Sequence, residues 1–505
     1  MAHPLKRLVG ETAIYGLSTM LARVLNFLFV PIYTRMLTTS DYGIATEFLS
    51  YIAILQVLLT MGMETGCLRY ANKSDKPRKV FSTALSFMSL VSLLFFALSA
   101  FWSDGIALWL GYHNYGMCII YLGGILAIDS FTAILFARLR FEYHALKFAI
   151  IKSVKIASEL GFNLLLFFAA PTYFAAHPES WLLHFVSATP DFSYILFAIF
   201  MSCLVSLVLF IPDLLKIKFV FDKSLWRQMM VYSIPLMIAG LPGVANDFID
   251  RILFRYLLPA DMSWQSQLGI FQAGVKISVL MSLFIQMFRY AAEPYFFAGE
   301  KNKQAPMHFA IVMHYFTAFC MTIFLFVMFY IDAIGLLLGK DFRTGLDIVP
   351  IMLGAYVLLG MSFNLSMWYK LSGKTQYAVY ITSAGLLVTL FVNIIFMPSY
   401  GYYAAAWGHL LSYLVMVILS AWMGAKYYPI PYNWSKLWAY VSVAAALFFF
   451  SRWLNMQILW VKWLVNGVLL LAYVTFWLRY EKVNPLRLLK KESKELNKYD
   501  TSKNY

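Results

Sequence analysis

The sequence predicts an all-α polytopic membrane protein with fourteen spanning helices, and three observations predict it. Of the 505 residues, 61% are hydrophobic and only 13% are Asp, Glu, Lys or Arg, whereas a soluble domain carries about 25% charged residues. Apolar runs recur along the whole chain, each near the ~20 residues needed to cross a hydrocarbon core of about 30 Å, and the mean hydropathy is +0.69. The basic residues are also shared out unevenly between alternate loops, as the positive-inside rule requires of a chain that crosses many times.

In chain order the spans are expected over 10–37, 41–69, 80–102, 116–138, 147–170, 192–212, 228–258, 266–291, 308–331, 346–369, 375–397, 402–424, 435–452 and 458–479. Turn and interface chemistry separates them, as in KSDKPRK (73–79), PADMSWQSQ (259–267) and GEKNKQAP (299–306). The first span begins after Lys6 and Arg7, is too long for a signal h-region, and has no small-residue cleavage site behind it. With the N-terminus placed in the cytoplasm, the inside segments hold 28 Lys and Arg, and the outside loops hold only Lys340, Arg343 and Arg452. One span missed or invented would swap the side of every later loop and degrade that bias. Both termini are therefore expected in the cytoplasm. The net charge of +15 then belongs to the inner face of a membrane, and not to a nucleic-acid surface. The tail 479–500 either lies on the anionic leaflet or is solvated. Cys67, Cys118, Cys203 and Cys320 stand far apart in apolar segments, show no metal-ligand spacing, and read as packing residues.

A weak internal repeat organises the spans. VPIYTRMLTTSDYGI (30–44) corresponds to DRILFRYLLPADMSWQSQLGI (250–270), which matches Arg35 with Arg255 and Gly43 with Gly269 and places Glu64 near Glu293. Six helices separate the two copies, so both run the same way through the membrane. Parallel repeats of this kind place the substrate between the halves, near the midplane. The expected divisions are 1–220 (spans one to six), 221–425 (spans seven to twelve), 426–480 (two appended helices) and 481–505 (a basic tail).

The charges inside the spans carry the functional expectation. Arg23, beside Asn26, sits halfway along the first span; Asp129 is central in the fourth, and Lys276 lies about 15 Å deep in the eighth. A central arginine costs about 2.5–3.5 kcal/mol on insertion scales, so such groups face a bundle interior or a wet cavity. In the fifth span Lys152, Lys155, Glu159 and Asn163 form a polar stripe, and in the seventh Asn246, Asp247, Asp250 and Arg251 share one side. Two readings stand for these charges. In one they pair with each other, as Asp247 with Arg251 and Arg289 with Glu293, while Lys152, Lys155, Arg35 and Arg255 snorkel to the interfaces. In the other, Arg23, Asn26, Lys276, Arg251, Lys152, Lys155, Arg35 and Arg255 contact an anionic substrate, and Asp129, Asp247, Asp250, Glu47 and Glu64 bind a coupling ion or balance the cations. A path of this sign suits a phosphate or pyrophosphate, which a guanidinium fits as a bidentate fork. Pro31, Pro235, Pro242, Gly240 and Gly243 supply bending points in the repeat-equivalent first and seventh spans.

The sequence has no P-loop, no GxGxxG before a helix and no HExxH. The histidines and acids of the outer loops, among them His177 and Asp191, have no catalytic spacing; His409 reads as a satisfied helix histidine or a proton carrier. Neither a cofactor nor a metal site is expected, beyond Na+ or H+ as a coupling ion.

The opening RLVGETAIYGLSTMLARVLNFLFVPIYTRMLTTSDYGIATEFLSYIAILQVLLTMGMET (7–65), with Arg23, the Pro-Ile-Tyr-Thr-Arg run at 31–35 and Asp41-Tyr42-Gly43, resembles that of bacterial polysaccharide-biosynthesis flippases. Their superfamily also contains MATE drug exporters and the lipid II flippase. The resemblance implies two six-helix MATE-like lobes around a cationic cavity, two extra helices and alternating access. It also implies an undecaprenyl-pyrophosphate-linked oligosaccharide as substrate, moved from the cytoplasmic to the periplasmic leaflet of the bacterial inner membrane. Other polysaccharide-assembly proteins and membrane lipids are the implied partners. By the same resemblance Arg23 and Lys276 contact the pyrophosphate, while Asp247 and Asp250 depart from a purely cationic cavity. Two alternatives remain: a MATE-like exporter of cationic drugs coupled to Na+ or H+ through Asp129, Asp247 and Asp250, and a membrane glycan polymerase or transferase using outer-loop groups.

Overall fold

The computed structural model describes residues 27–299, 305–454 and 456–481. Among the described residues there is no β-strand, and thirteen helices are long and apolar enough to cross a membrane. After a short helical segment, Val30–Met36, they are α1 (Thr39–Lys73), α2 (Pro77–Phe101), α3 (Gly116–Phe141), α4 (Ala145–Ala176), α5 (Phe192–Leu214), α6 (Lys223–Leu257), α7 (Trp264–Gly299), α8 (Ala305–Phe329), α9 (Lys340–Leu371), α10 (Gln376–Tyr400), α11 (Tyr402–Tyr427), α12 (Trp434–Trp453) and α13 (Leu459–Tyr480). Each corresponds to one of the last thirteen expected spans. Most of the first expected span, 10–37, lies outside the described residues.

Local chemistry sets the ends and breaks. Thr38 caps α1 by accepting the Asp41 amide at 3.0 Å. Met61 and Gly62, at φ 51° and 64°, break that helix. A Cβ on Gly62 would stand 2.7 Å from the Ser233 carbonyl of α6, so a side chain is excluded there on two grounds. In α4 a π-helical turn, Leu165–Ala169, precedes Pro171, whose missing amide the wider turn accommodates. α6 runs through Pro235 and Pro242. The first nine residues of α9, Lys340–Ile348, are a 3₁₀ segment.

The chain divides into two compact units. The first comprises Met1–Ala298 and Leu337–Tyr428. Within it α3 packs on α2 and α5, α5 packs on α4, and α11 packs on α9 and α10, while α6 packs on both α1 and α10. Two apolar clusters carry this packing. One gathers Met63, Val80, Phe81, Met88, Leu135, Phe210 and Met229. The other gathers Phe254, Phe271, Ile348, Met352, Met397 and Ala404–Ala406. The second unit comprises Gly299–Leu336 and Pro429–Tyr505, and in it α8 packs on α12 and α13. Buried Asn466 ties these three together. It accepts from Ser451 at 2.6 Å and donates to the Phe329 carbonyl at 2.9 Å, which satisfies a polar side chain where lipid offers no partner. The helix that the repeat assigned to the second lobe, α8, thus packs with the two appended helices.

Candidate functional site

The polar stripe of α4 meets acids from its neighbours. Lys155 Nζ lies 2.5 Å from Asp129 Oδ1 of α3, and Cys203 Sγ of α5 lies 3.5 Å from the same oxygen. One turn nearer the N-terminus, Lys152 Nζ stands 4.3 Å over the Phe136 ring. One turn the other way, Glu159 is within electrostatic range of Lys155, Asp129 and Lys276 of α7. At the top of the stripe Asn163 accepts from the Tyr33 hydroxyl at 2.9 Å and donates to the Glu159 carbonyl. The result is a ladder of three lysines and two carboxylates, net +1, running from α3 and α4 to α7, so from the first repeat to the second. Spacing along α4 predicts the stripe. That Asp129 would neutralise Lys155 is decided by α3 packing beside it.

The acidic face of α6 turns into the second repeat. Asn246 accepts from Thr389 at 2.7 Å and from Ser412 at 3.0 Å. Asp250, fully buried, lies 3.1 Å from His409 Nε2 and 3.4 Å from Arg251. Asp247 accepts the Tyr413 hydroxyl at 2.7 Å. The expected Asp247–Arg251 carboxylate pair is replaced. Arg251 donates to the Asp247 carbonyl and to Gln272, and its ion partner is the adjacent Asp250. The cause is rotational: Tyr413 draws the Asp247 carboxylate to the α11 side. His409, Tyr413, Ser412 and Thr389 lie on α11 and α10, so the periodicity of α6 alone could not place them in this cluster.

One turn further along α6, near its C-terminal end and the N-terminal end of α1, an ion pair joins the repeats. Arg255 donates to both oxygens of fully buried Glu47, at 2.9 and 3.1 Å, and to the Leu110 carbonyl. Tyr51 and Tyr112 donate to the same carboxylate, and the guanidinium stacks over Tyr112 at 4.7 Å and Trp264 at 4.8 Å. Arg35, matched to Arg255 by the repeat, is exposed. Beside this pair the matched glycines meet. A Cβ on Gly43 would fall 1.9 Å from the Gln265 carbonyl oxygen and 3.0 Å from the Gly269 amide; one on Gly269 would fall 2.0 Å from the Thr39 carbonyl oxygen. Toward the opposite ends, Glu64 pairs with Arg140 of α3, and Glu293 pairs with Lys370 of α9 and, at 3.7 Å, with Arg289. In each copy the acid is thus tied to a cation two spans further on. Arg23 and Asn26 lie outside the described residues.

A family model described as polysaccharide biosynthesis protein matches residues 8–300. The chain belongs to this family. Among relatives of the family chain is a Haloferax volcanii protein named as a probable low-salt glycan biosynthesis flippase, 21% identical over 265 residues, which are 51% of this chain and 55% of the relative. The match therefore spans about half the length of that curated relative. Among solved structures, a lipid II flippase in an inward closed conformation aligns with TM-score 0.70 and 14% identity, over 92% of this chain and 98% of its own. A Vibrio cholerae MATE transporter aligns with TM-score 0.56 and 11% identity, over 84% and 97%. At these identities the likeness is one of fold. The multi-pass MATE-like architecture expected of the sequence is therefore present.

Proposed function

We propose that the chain is a flippase that carries an undecaprenyl-pyrophosphate-linked oligosaccharide from the cytoplasmic to the periplasmic leaflet of the bacterial inner membrane, by alternating access, for surface polysaccharide. The observation that carries this reading is the ladder. Lys152, Lys155 and Lys276 are held at depth on helices of the two repeats, and Asp129 and Glu159 lie against them. A net positive, partly neutralised path lets a diphosphate displace weak internal pairs instead of binding irreversibly. Family membership and the flippase relative support the substrate class. The Glu47–Arg255 pair and the Gly43–Gly269 contact join the repeats at the end that the positive-inside bias assigns to the periplasm.

The test is flipping of a fluorescent lipid-linked oligosaccharide in proteoliposomes, alongside surface glycan in cells. Arg23→Ala and Lys276→Ala are each expected to lower flipping by about 30-fold, the equivalent of the roughly 2 kcal/mol lost when one partner of a desolvated charge contact is removed, with normal membrane insertion. Unchanged flipping in both variants would overturn the reading.

Coupling belongs to the same proposal. Asp250 and His409, with Asp247, Arg251 and Tyr413 around them, form a buried acid–imidazole pair suited to take up a proton. Transport driven by an imposed pH gradient is expected to vanish in Asp250→Asn and to persist in a sodium-free buffer for the parent. A strict sodium requirement would exclude the proton.

A further inference from the structure

We propose that a basic pocket on the flank of the first repeat, apart from the ladder, binds the phosphate headgroup of an anionic membrane lipid and clips the segment between α5 and α6 to the body of that repeat. The pocket has a volume of about 530 Å³ and is lined by Arg78 and Lys79 of α2, Arg138 of α3, and Lys216 and Lys218 of the segment 215–222. Its floor is Phe81 and Ser82. Five cations converge there. Lys79 pairs with Asp222 at 2.5 Å and Arg138 with Glu142 at 2.7 Å. Among the described residues Arg78, Lys216 and Lys218 have no ion pair, so the pocket keeps three uncompensated charges.

The segment is shaped for an interface. Ser82 donates to the Lys218 carbonyl at 2.5 Å and accepts the Val220 amide at 2.7 Å, and Thr83 accepts the Asp222 amide. Those bonds hold 218–222 along α2. Lys216, Ile217, Lys218 and Val220 line the pocket, whereas Leu215, 83% exposed, and Phe219, 52% exposed, lie outside its lining. Phe221 continues the exposed apolar set. Exposed aromatic and aliphatic side chains beside a cationic pocket fit the headgroup level of a bilayer, with acyl chains against the phenyl rings and phosphate against the lysines. A soluble phosphate would use the cations and leave the apolar collar unexplained. The positive-inside bias assigns this end to the cytoplasmic leaflet, where anionic headgroups meet it.

Native mass spectrometry of the full chain in detergent tests this, with phosphatidylglycerol, phosphatidylcholine and inorganic pyrophosphate as probes. Phosphatidylglycerol is expected to bind and phosphatidylcholine not. The Arg78→Ala/Lys216→Ala/Lys218→Ala variant is expected to bind phosphatidylglycerol roughly 100-fold more weakly, from about tenfold or less per cation. The Lys223→Ala/Arg227→Ala variant, which removes charge from the neighbouring surface outside the pocket, is expected to bind as the parent does. Equal binding of the two lipids, or parental binding by the triple variant, would overturn the proposal. Displacement of the lipid by micromolar pyrophosphate would overturn its lipid assignment in favour of a soluble anion. Binding is read directly, so the result stands apart from whether the chain flips a glycan lipid.

Discussion

Glu47 shows what one residue contributes when its partner comes from the other repeat. It is fully buried and accepts from Arg255, Tyr51 and Tyr112, so its charge is compensated by a cation and two hydroxyls. Removing one member of a buried pair strands the other, at about 3–5 kcal/mol. Glu47→Gln and Arg255→Gln are therefore each expected to lower the thermal midpoint in detergent, and Glu47→Gln/Arg255→Gln to lose less than their sum, read as a double-mutant cycle by fluorescence-monitored melting. Additive losses would mean that the pair is not coupled. Asp222, outside the spans, behaves differently. The Lys79 hydrogen bond, followed by the Leu225 amide, holds its carboxyl below the ordinary range. A depressed carboxylate contributes above its unfolded value and loses that contribution as pH falls through the folded one. Protection of the Leu225 amide against hydrogen exchange is expected to persist at neutral pH, to fade only below about pH 4, and to be lost at all pH values in Asp222→Ala.

At the scale of elements, the approach of α1 to α7 depends on two glycines. The atoms that a Cβ at either position would meet are backbone, which cannot swing aside as a side-chain tip can. Gly43→Val and Gly269→Val are each expected to push the helices apart and to expose this end to alkylating reagents. Gly105, with nothing within 4 Å of a Cβ, is the control, and Gly105→Ala is expected to change neither melting nor labelling. The sequence repeat aligned these glycines, yet alignment of two segments does not say that they touch. That needed the chain to close back on itself. Similarly, the periodicity of α6 placed Asn246 and Asp250 on one side, but Thr389, Ser412 and His409 became visible as their partners only when α10 and α11 packed there.

For the whole molecule, the contact between repeats at α1 and α7 is the joint that a transport cycle would have to open. Thr39 Oγ1 donates to Ser266 Oγ at 3.0 Å across it. In a background with the four buried native cysteines replaced, the pair Thr39→Cys and Ser266→Cys is expected to cross-link under oxidation and to stop flipping, and reductant is expected to restore it. Flipping that continues with the cross-link formed would show that this end need not part.

Read alone, the sequence determined the all-helical membrane class and the positions of thirteen described spans, because hydropathy over twenty residues and loop charge are local quantities that lipid and the membrane potential read directly. It also picked out the charged positions, since a titratable group in an apolar run is visible without any partner. Only tertiary structure decided which charges neutralise each other. Asp129 was joined to Lys155, Glu47 to Arg255 and Asp250 to His409 across 26, 208 and 159 residues of chain. Likewise only packing grouped α8 with α12 and α13. Pairing energy falls off over a few ångströms, and which helices come that close is set by the packing of the whole bundle, which no local pattern encodes.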